Sequence, residues 1–303
     1  MSILPEQGRV AFAALHPAVT FAFFAGAIVL CMCFSNPAFQ ALSIVCAAAL
    51  YLTLRGRRAL PFIGGLGVAL VVIALVNPLF ATQGDTVLFT WWGGRPYTLE
   101  ALALGASTGA MLVAMMLWFA SYHLVMTADK FTYLFGGVIP ALSMVLTMVL
   151  RLVPGYRRRA DALLTARACI GKGPAEGAGL VQRARAAAAA LAALSATALE
   201  DAIITADSMR ARGYGLAGRT RYALFRWDGR DVATAAVMAA LLVGAVAALV
   251  AGGTAVTFFP TISLPPLTPA GVLGGVCYGA FLALPTAYNL GERALWLCSL
   301  SRI

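Results

Sequence analysis

Ser208-Met209-Arg210-Ala211-Arg212-Gly213-Tyr214-Gly215 closes a polar, arginine-rich stretch of about eighty residues that lies between hydrophobic segments. Gly213 suits the left-handed conformation that ends an α-helix, and Arg212 stands beside that helix's carbonyl end, where a cation is favoured. Asp207 and Arg210 are three apart and Ser208 and Arg212 four apart, so each pair shares a face. Arg210 and Arg212 point to different sides, because two residues turn a helix by about 200°. One arginine alone can therefore lead into any single groove.

The flanking sequence decides what carries this helix. Hydrophobic residues make up 61% of the chain and charged residues 11%, with a mean hydropathy of +0.86, a balance that excludes an ordinary soluble domain. Apolar runs near 17–35, 38–54, 60–80, 101–122, 232–252 and 267–289 approach the roughly 20 residues that a helix needs to cross a bilayer. The expected fold class is thus an all-α polytopic membrane protein of about six transmembrane helices. Ser35-Asn36-Pro37 forms a short turn between the first two, and the first run has no convincing cleavage site for a signal peptide.

Orientation follows from the cations. Arg55, Arg57 and Arg58 mark one loop, and fourteen of the 22 Lys and Arg fall between Arg151 and Arg230. The 81–99 loop holds only Arg95, and the 253–266 loop holds none. The positive-inside rule then places both termini and the arginine-rich segment in the cytoplasm of a cell-membrane protein. The expected division is N-terminal transmembrane helices at 1–130, a cytoplasmic or peripheral domain at 131–230, and C-terminal transmembrane helices at 231–303. Phe131 to Leu150 is uncharged, but crossing there would reverse the orientation, and Gly136, Gly137 and Pro140 would interrupt it. It is read as partly embedded or packed on the cytoplasmic side.

Two helices are expected in the central segment. The first covers Tyr156 to Ile170 and stops at Gly171-Lys172-Gly173-Pro174; the second runs from about Gly179 to Arg212. Ala186 to Leu199 is uncharged yet only fourteen residues long, too short to span, so it should pack against protein. Taken alone, the arginines at the ends of such helices are as well explained by a solvated basic surface touching anionic lipid.

Asp207, Met209 and the Ala211-Arg212-Gly213 triplet resemble the second signature of the transmembrane T component of energy-coupling factor transporters, the modular vitamin and metal-ion importers of prokaryotes. His16-Pro17, Asn77-Pro78, Glu100 with Gly105, Met126-Thr127 and Arg151-Leu152-Val153-Pro154 follow the family's order along the chain. The family usually carries two triplets, whereas the first position here reads Ala168-Cys169-Ile170-Gly171, with Ile170 where arginine is expected. An apolar first contact, or one made by Arg167 or Lys172, stays open.

The resemblance implies a division of labour. Two cytoplasmic ATPase subunits hydrolyse ATP, a small membrane S component binds the substrate, and the T component couples them. The implied coupling residues are Arg210, Ala211, Arg212 and Gly213 on one helix, and Arg167, Cys169, Ile170 and Gly171 on the other. No catalytic role, cofactor or metal is expected of this chain: it contains no Gly-x-x-x-x-Gly-Lys-Ser/Thr phosphate loop. His16 and His123 lack companions at ligand spacing, and the six cysteines read as small apolar residues. Asp85, Glu100 and Asp129 are read as interfacial anchors, and Phe89, Trp91, Trp92 and Tyr97 as an outer aromatic belt or an S-component surface. Seven acids between Asp161 and Asp231 dilute the basic charge, so nucleic acid is not an expected partner. The alternative is a membrane-anchored scaffold whose basic helices bind anionic lipid or another acidic partner without ATPases.

Overall fold

The computed structural model describes residues 11–81, 84–91, 95–136, 140–171, 179–216, 225–252, 256–259, 262–263 and 268–300. Lys172, Gly173, Pro174 and Trp92 lie outside them. Contacts divide the chain into two compact units, Met1–Thr127 with Phe225–Ile303, and Ala128–Leu224.

The first unit contains α1 (Ala11–Ala14), α2 (Pro17–Cys33), α3 (Pro37–Arg55), a 3-10 turn (Gly56–Ala59), α4 (Leu60–Phe80), the strands β1 (Val87–Trp91) and β2 (Arg95–Thr98), α5 (Leu99–Val125), α9 (Gly229–Val250) and α10 (Pro269–Leu300). Local chemistry sets the helix starts. His16 Nδ1 accepts the Ala18 N–H at 3.2 Å and Asn36 Oδ1 accepts the Ala38 N–H at 3.0 Å, each just before a proline at the first helical position. Thr98 caps α5 through the Ala101 N–H. The antiparallel β1–β2 pair ties back to α4 where the Tyr97 hydroxyl donates to the Leu75 carbonyl at 3.2 Å. Phe89 stacks on Tyr97 with ring centroids 4.7 Å apart.

The helices pack closely at glycines. A Cβ on Gly105 of α5 would lie 2.6 Å from Asn77 Cβ and 3.0 Å from the Ala74 carbonyl oxygen of α4. That absence of side chain lets the two helices approach as membrane helices do at small residues. Phe12, Phe23, Phe24, Trp118 and Phe281 form the aromatic centre of the core, every one of them almost fully buried. Two polar pairs lie inside this unit: Trp118 Nε1–H donates to Ser43 Oγ at 2.9 Å, and Ser107 Oγ bonds Gln40 Oε1 at 2.9 Å. Glu100, in the first turn of α5, is enclosed by protein. Its side chain is buried and accepts the Thr86 N–H and hydroxyl, fastening the segment before β1 to the start of α5.

The outward faces are apolar, with Val68, Val243 and Val276 each about two-thirds exposed. By length and composition, Pro37–Phe80, Leu99–Val125, Leu180–Ala211, Gly229–Val250 and Pro269–Glu292 are apolar enough to cross a membrane, and Pro17–Cys33 is a shorter apolar helix. Pro37–Phe80 comprises α3, the 3-10 turn and α4; its 44 residues would measure about 66 Å as one helix, twice a bilayer core, so the turn with its arginines divides it. The protein is an all-α polytopic membrane protein.

The second unit contains α6 (Ala128–Phe135), α7 (Pro140–Cys169) and α8 (Leu180–Ala211). The first long helix begins sixteen residues before the expected Tyr156, at Pro140, and continues through Pro154. Met144, Leu146, Met148 and Leu150 are good helix formers ahead of that proline, and the continuous helix satisfies backbone groups that a break at 154 would have exposed. Ala186 to Leu199, expected to pack against protein, finds little cover within this chain. Ala190 is the buried residue of α8, whereas Leu191 and Leu199 are 65% and 69% exposed. The reason is geometric: two helices that touch along a limited stretch cannot cover a thirty-two-residue apolar surface.

Candidate functional site

The last turn of α8 closes in a complete hydrogen-bonded cap. The Tyr214 N–H donates to the Met209 carbonyl at 3.0 Å and the Gly213 N–H to the Arg210 carbonyl at 3.0 Å, the two bonds of a Schellman motif. Gly213 has φ +78°, which an L side chain disfavours. Arg212 is the last residue before the reversal, and its N–H is shared between the Ser208 and Met209 carbonyls at 3.2 Å each. Arg210, Ala211 and Arg212 are all exposed or nearly so at the helix tip, as Met209 is not, being half-buried.

The end of α7 repeats part of this cap. The Gly171 N–H donates to the Ala168 carbonyl at 3.0 Å and Gly171 has φ +70°. Counting back from each left-handed glycine, Ile170 occupies the position of Arg212, and Cys169 that of Ala211. Ile170 is 67% exposed, an apolar side chain presented at the tip of a helix. Arg167 lies one turn back and half-buried, its Nε enclosed without a hydrogen bond.

The two helices are fastened to each other by an ion pair between Arg159 of α7 and Asp201 of α8. The Asp201 hydrogen bond and charge hold the Arg159 guanidinium still more firmly protonated, and it also sits 5.5 Å from the centre of the Tyr156 ring. Arg159 lies eleven residues before Ile170, and Asp201 eleven before Arg212. Each capped end therefore extends about 16 Å beyond the brace.

The caps at Gly171 and Gly213 lie where sequence reading expects helix ends. The brace is what that reading missed, although Arg157-Arg158-Arg159 and Glu200-Asp201 stand at matching distances before the two glycines. Among the described residues, no group of three or more His, Cys, Asp or Glu could hold a metal ion.

The fold and this region define a class: a polytopic α-helical membrane protein that carries a braced pair of long helices with exposed, capped ends. No family model matches the chain. It is similar, at 24% identity over 190 residues, to the energy-coupling factor transporter transmembrane protein EcfT 1 of Listeria monocytogenes serotype 1/2a (strain 08-5578). That alignment covers 58% of this chain and 70% of the relative.

Proposed function

We propose that this chain is the transmembrane T component of an energy-coupling factor importer, passing the ATP-driven motion of two cytoplasmic ATPase subunits to a small substrate-binding S component. The cargo class is a vitamin, another micronutrient or a transition-metal ion, and the chain itself is not an enzyme. The observation that carries the reading is the pair of exposed, glycine-capped helix ends, each eleven residues beyond the Arg159–Asp201 brace. The distant similarity to EcfT 1 supports it.

On this reading 1–130 and 231–303 form the membrane portion, with both termini cytoplasmic, and 131–230 carries the coupling helices. Although α8 is long and apolar enough to cross a bilayer, any span of about 20 residues along it takes in charged residues, Arg183 and Arg185 at one end or Glu200 and Asp201 at the other, at a cost. Burial against partner subunits covers its apolar face without that cost. Arg210, Ala211, Arg212 and Gly213 make one contact with an ATPase; Arg167, Cys169, Ile170 and Gly171 make the other.

Affinity purification of the tagged chain from its native membrane tests the proposal. Wild type should bring down two ATPase subunits and a small hydrophobic protein. Arg212→Ala should lose the ATPases, because truncating an arginine buried against a carboxylate costs about 2 to 5 kcal/mol. Arg210→Ala, at the rim, should cost less than about 1 kcal/mol. Wild-type protein that repeatedly emerges without any ATPase would instead favour a scaffold binding lipid or an acidic partner, and equal small effects of both substitutions would remove Arg212 from its role.

A further inference from the structure

Arg55, Arg57 and Arg58 are the only lysine, arginine, aspartate or glutamate residues between Val10 and Gly84. They stand together at the turn that joins α3 to α4, whereas Asp85 follows the opposite end of α4. All three are exposed, and among the described residues none of them forms an ion pair. Glu292 lies on α10, which packs against α3 at Gly275 and Gly279, and it too leaves them unpaired. The turn is thus a concentrated positive charge that nothing described in this unit neutralises.

The charge is also held in place. Gly56 takes φ +62°, the left-handed conformation that ends α3, and its N–H donates to the Leu52 carbonyl. The Leu60 N–H closes the 3-10 turn on the Arg57 carbonyl. Arg55 Nη1 donates to the Tyr51 hydroxyl at 2.7 Å. Tyr51 is buried, with its ring centroid 5.4 Å from that of Phe62 in α4. One guanidinium is therefore steadied by a side chain packed between the two helices, beside two that are free to reach outward.

Depth selects what these charges meet. The helices on either side are apolar, and exposed Leu52, Leu60 and Phe62 lie within about one turn of the arginines. Four residues of 3-10 turn rise at most about 8 Å, and the headgroup layer is about 5 to 8 Å deep on each side of a bilayer. The backbone of the turn therefore stays at the level of the lipid phosphates. Guanidinium groups take phosphate oxygens in a bidentate fork. A zwitterionic headgroup would bring a quaternary amine up to three unneutralised cations, whereas an anionic one brings the negative charge alone. We propose that the 55–58 turn is a binding site for an anionic phospholipid, with Arg57 and Arg58 on the headgroup phosphate, Arg55 beside them, and acyl chain against Leu52, Leu60 and Phe62.

The test places the full chain, with whatever subunits co-purify, in nanodiscs of equal parts phosphatidylglycerol and phosphatidylcholine. Native mass spectrometry then reads what stays bound, and tells a lipid from a free phosphate or a peptide by mass. Phosphatidylglycerol should be retained over phosphatidylcholine. The preference should fall by about fivefold or more in Arg57→Gln/Arg58→Gln, because each arginine at an anionic surface is worth about fivefold. Arg157→Gln/Arg158→Gln removes the same charge from α7, also at exposed positions, and should keep the preference. No preference in wild type, a preference that survives the loss of Arg57 and Arg58, or an equal fall in the α7 variant each overturns the proposal. None of these outcomes depends on whether ATPases bind the chain, since the site is built on membrane helices alone.

Discussion

Gly213→Ala isolates the cap that aims the end of α8. At φ +78° an alanine suffers the left-handed clash of its Cβ with the backbone, worth about 1 to 2 kcal/mol. The new Cβ would also lie 3.1 Å from Leu216 Cδ1, a flexible side-chain end that can move aside. The strain is relieved by releasing the bonds from Tyr214 to Met209 and from Gly213 to Arg210, so the substitution frays the last turn and leaves the helix body intact. A cost of that size corresponds to about five- to thirtyfold in the local opening equilibrium. Hydrogen exchange read by mass spectrometry on peptides spanning 205–216 should accelerate by that factor, with the rest of α8 unchanged. Gly155→Ala provides the opposite expectation: that glycine is helical with open space around its Cβ, so alanine should slow exchange in α7. Unchanged exchange at the end of α8 in Gly213→Ala would refute the claim that the left-handed cap holds Arg212 in place.

Three further outcomes follow from the membrane unit. Gly105→Ala should lower thermal stability by about 1 to 3 kcal/mol by forcing α5 away from Ala74 and Asn77, whereas Gly64→Ala, which meets open space, should not; thermal unfolding in detergent compares them. Ser43→Ala leaves the buried Trp118 Nε1–H without its acceptor and should cost about 1 to 2 kcal/mol by the same assay. Burial holds His16 below its ordinary pKa of 6.5, with the Asp231 charge opposing in part, and its Nδ1 must stay unprotonated to accept the Ala18 N–H. The unfolded chain therefore takes up this proton first: stability should be full above pH 6.5 and fall as pH drops from 6.5 through the lowered native value, a dependence that His16→Asn should flatten.

Hydropathy made the membrane helices legible because each needs a long apolar run, and His16-Pro17 and Asn36-Pro37 marked their starts through cap chemistry that is local in sequence. Gly171 and Gly213 were legible for the same reason. The start of α7 was not, since Pro154 ordinarily argues for a break and only the continuous helix from Pro140 overrides it. The burial of Glu100 by Thr86 and the joining of His16 to Asp231 across 215 residues depend on tertiary contact, which no local pattern encodes. Leu191 and Leu199 on α8 stay exposed because whatever covers a fourteen-residue apolar run need not lie in the same chain.

Ile170 and Arg212 stand at the same place in two like caps, yet they ask for different surroundings. An arginine driven into a groove needs a carboxylate to replace its hydration, and without one its burial costs several kcal/mol. An isoleucine needs apolar walls, and a carboxylate facing it would be stripped of water with nothing in return. On the proposed function, then, the two ATPase grooves differ in chemistry, and the partners present two non-equivalent surfaces. Ile170→Arg and Arg212→Ile test this in the native membrane. Each alone should reduce ATPase retention, because each puts the wrong chemistry into one groove. If Ile170→Arg retains the ATPases as well as wild type, the two grooves are alike, and the isoleucine is a tolerated departure from a symmetric arrangement.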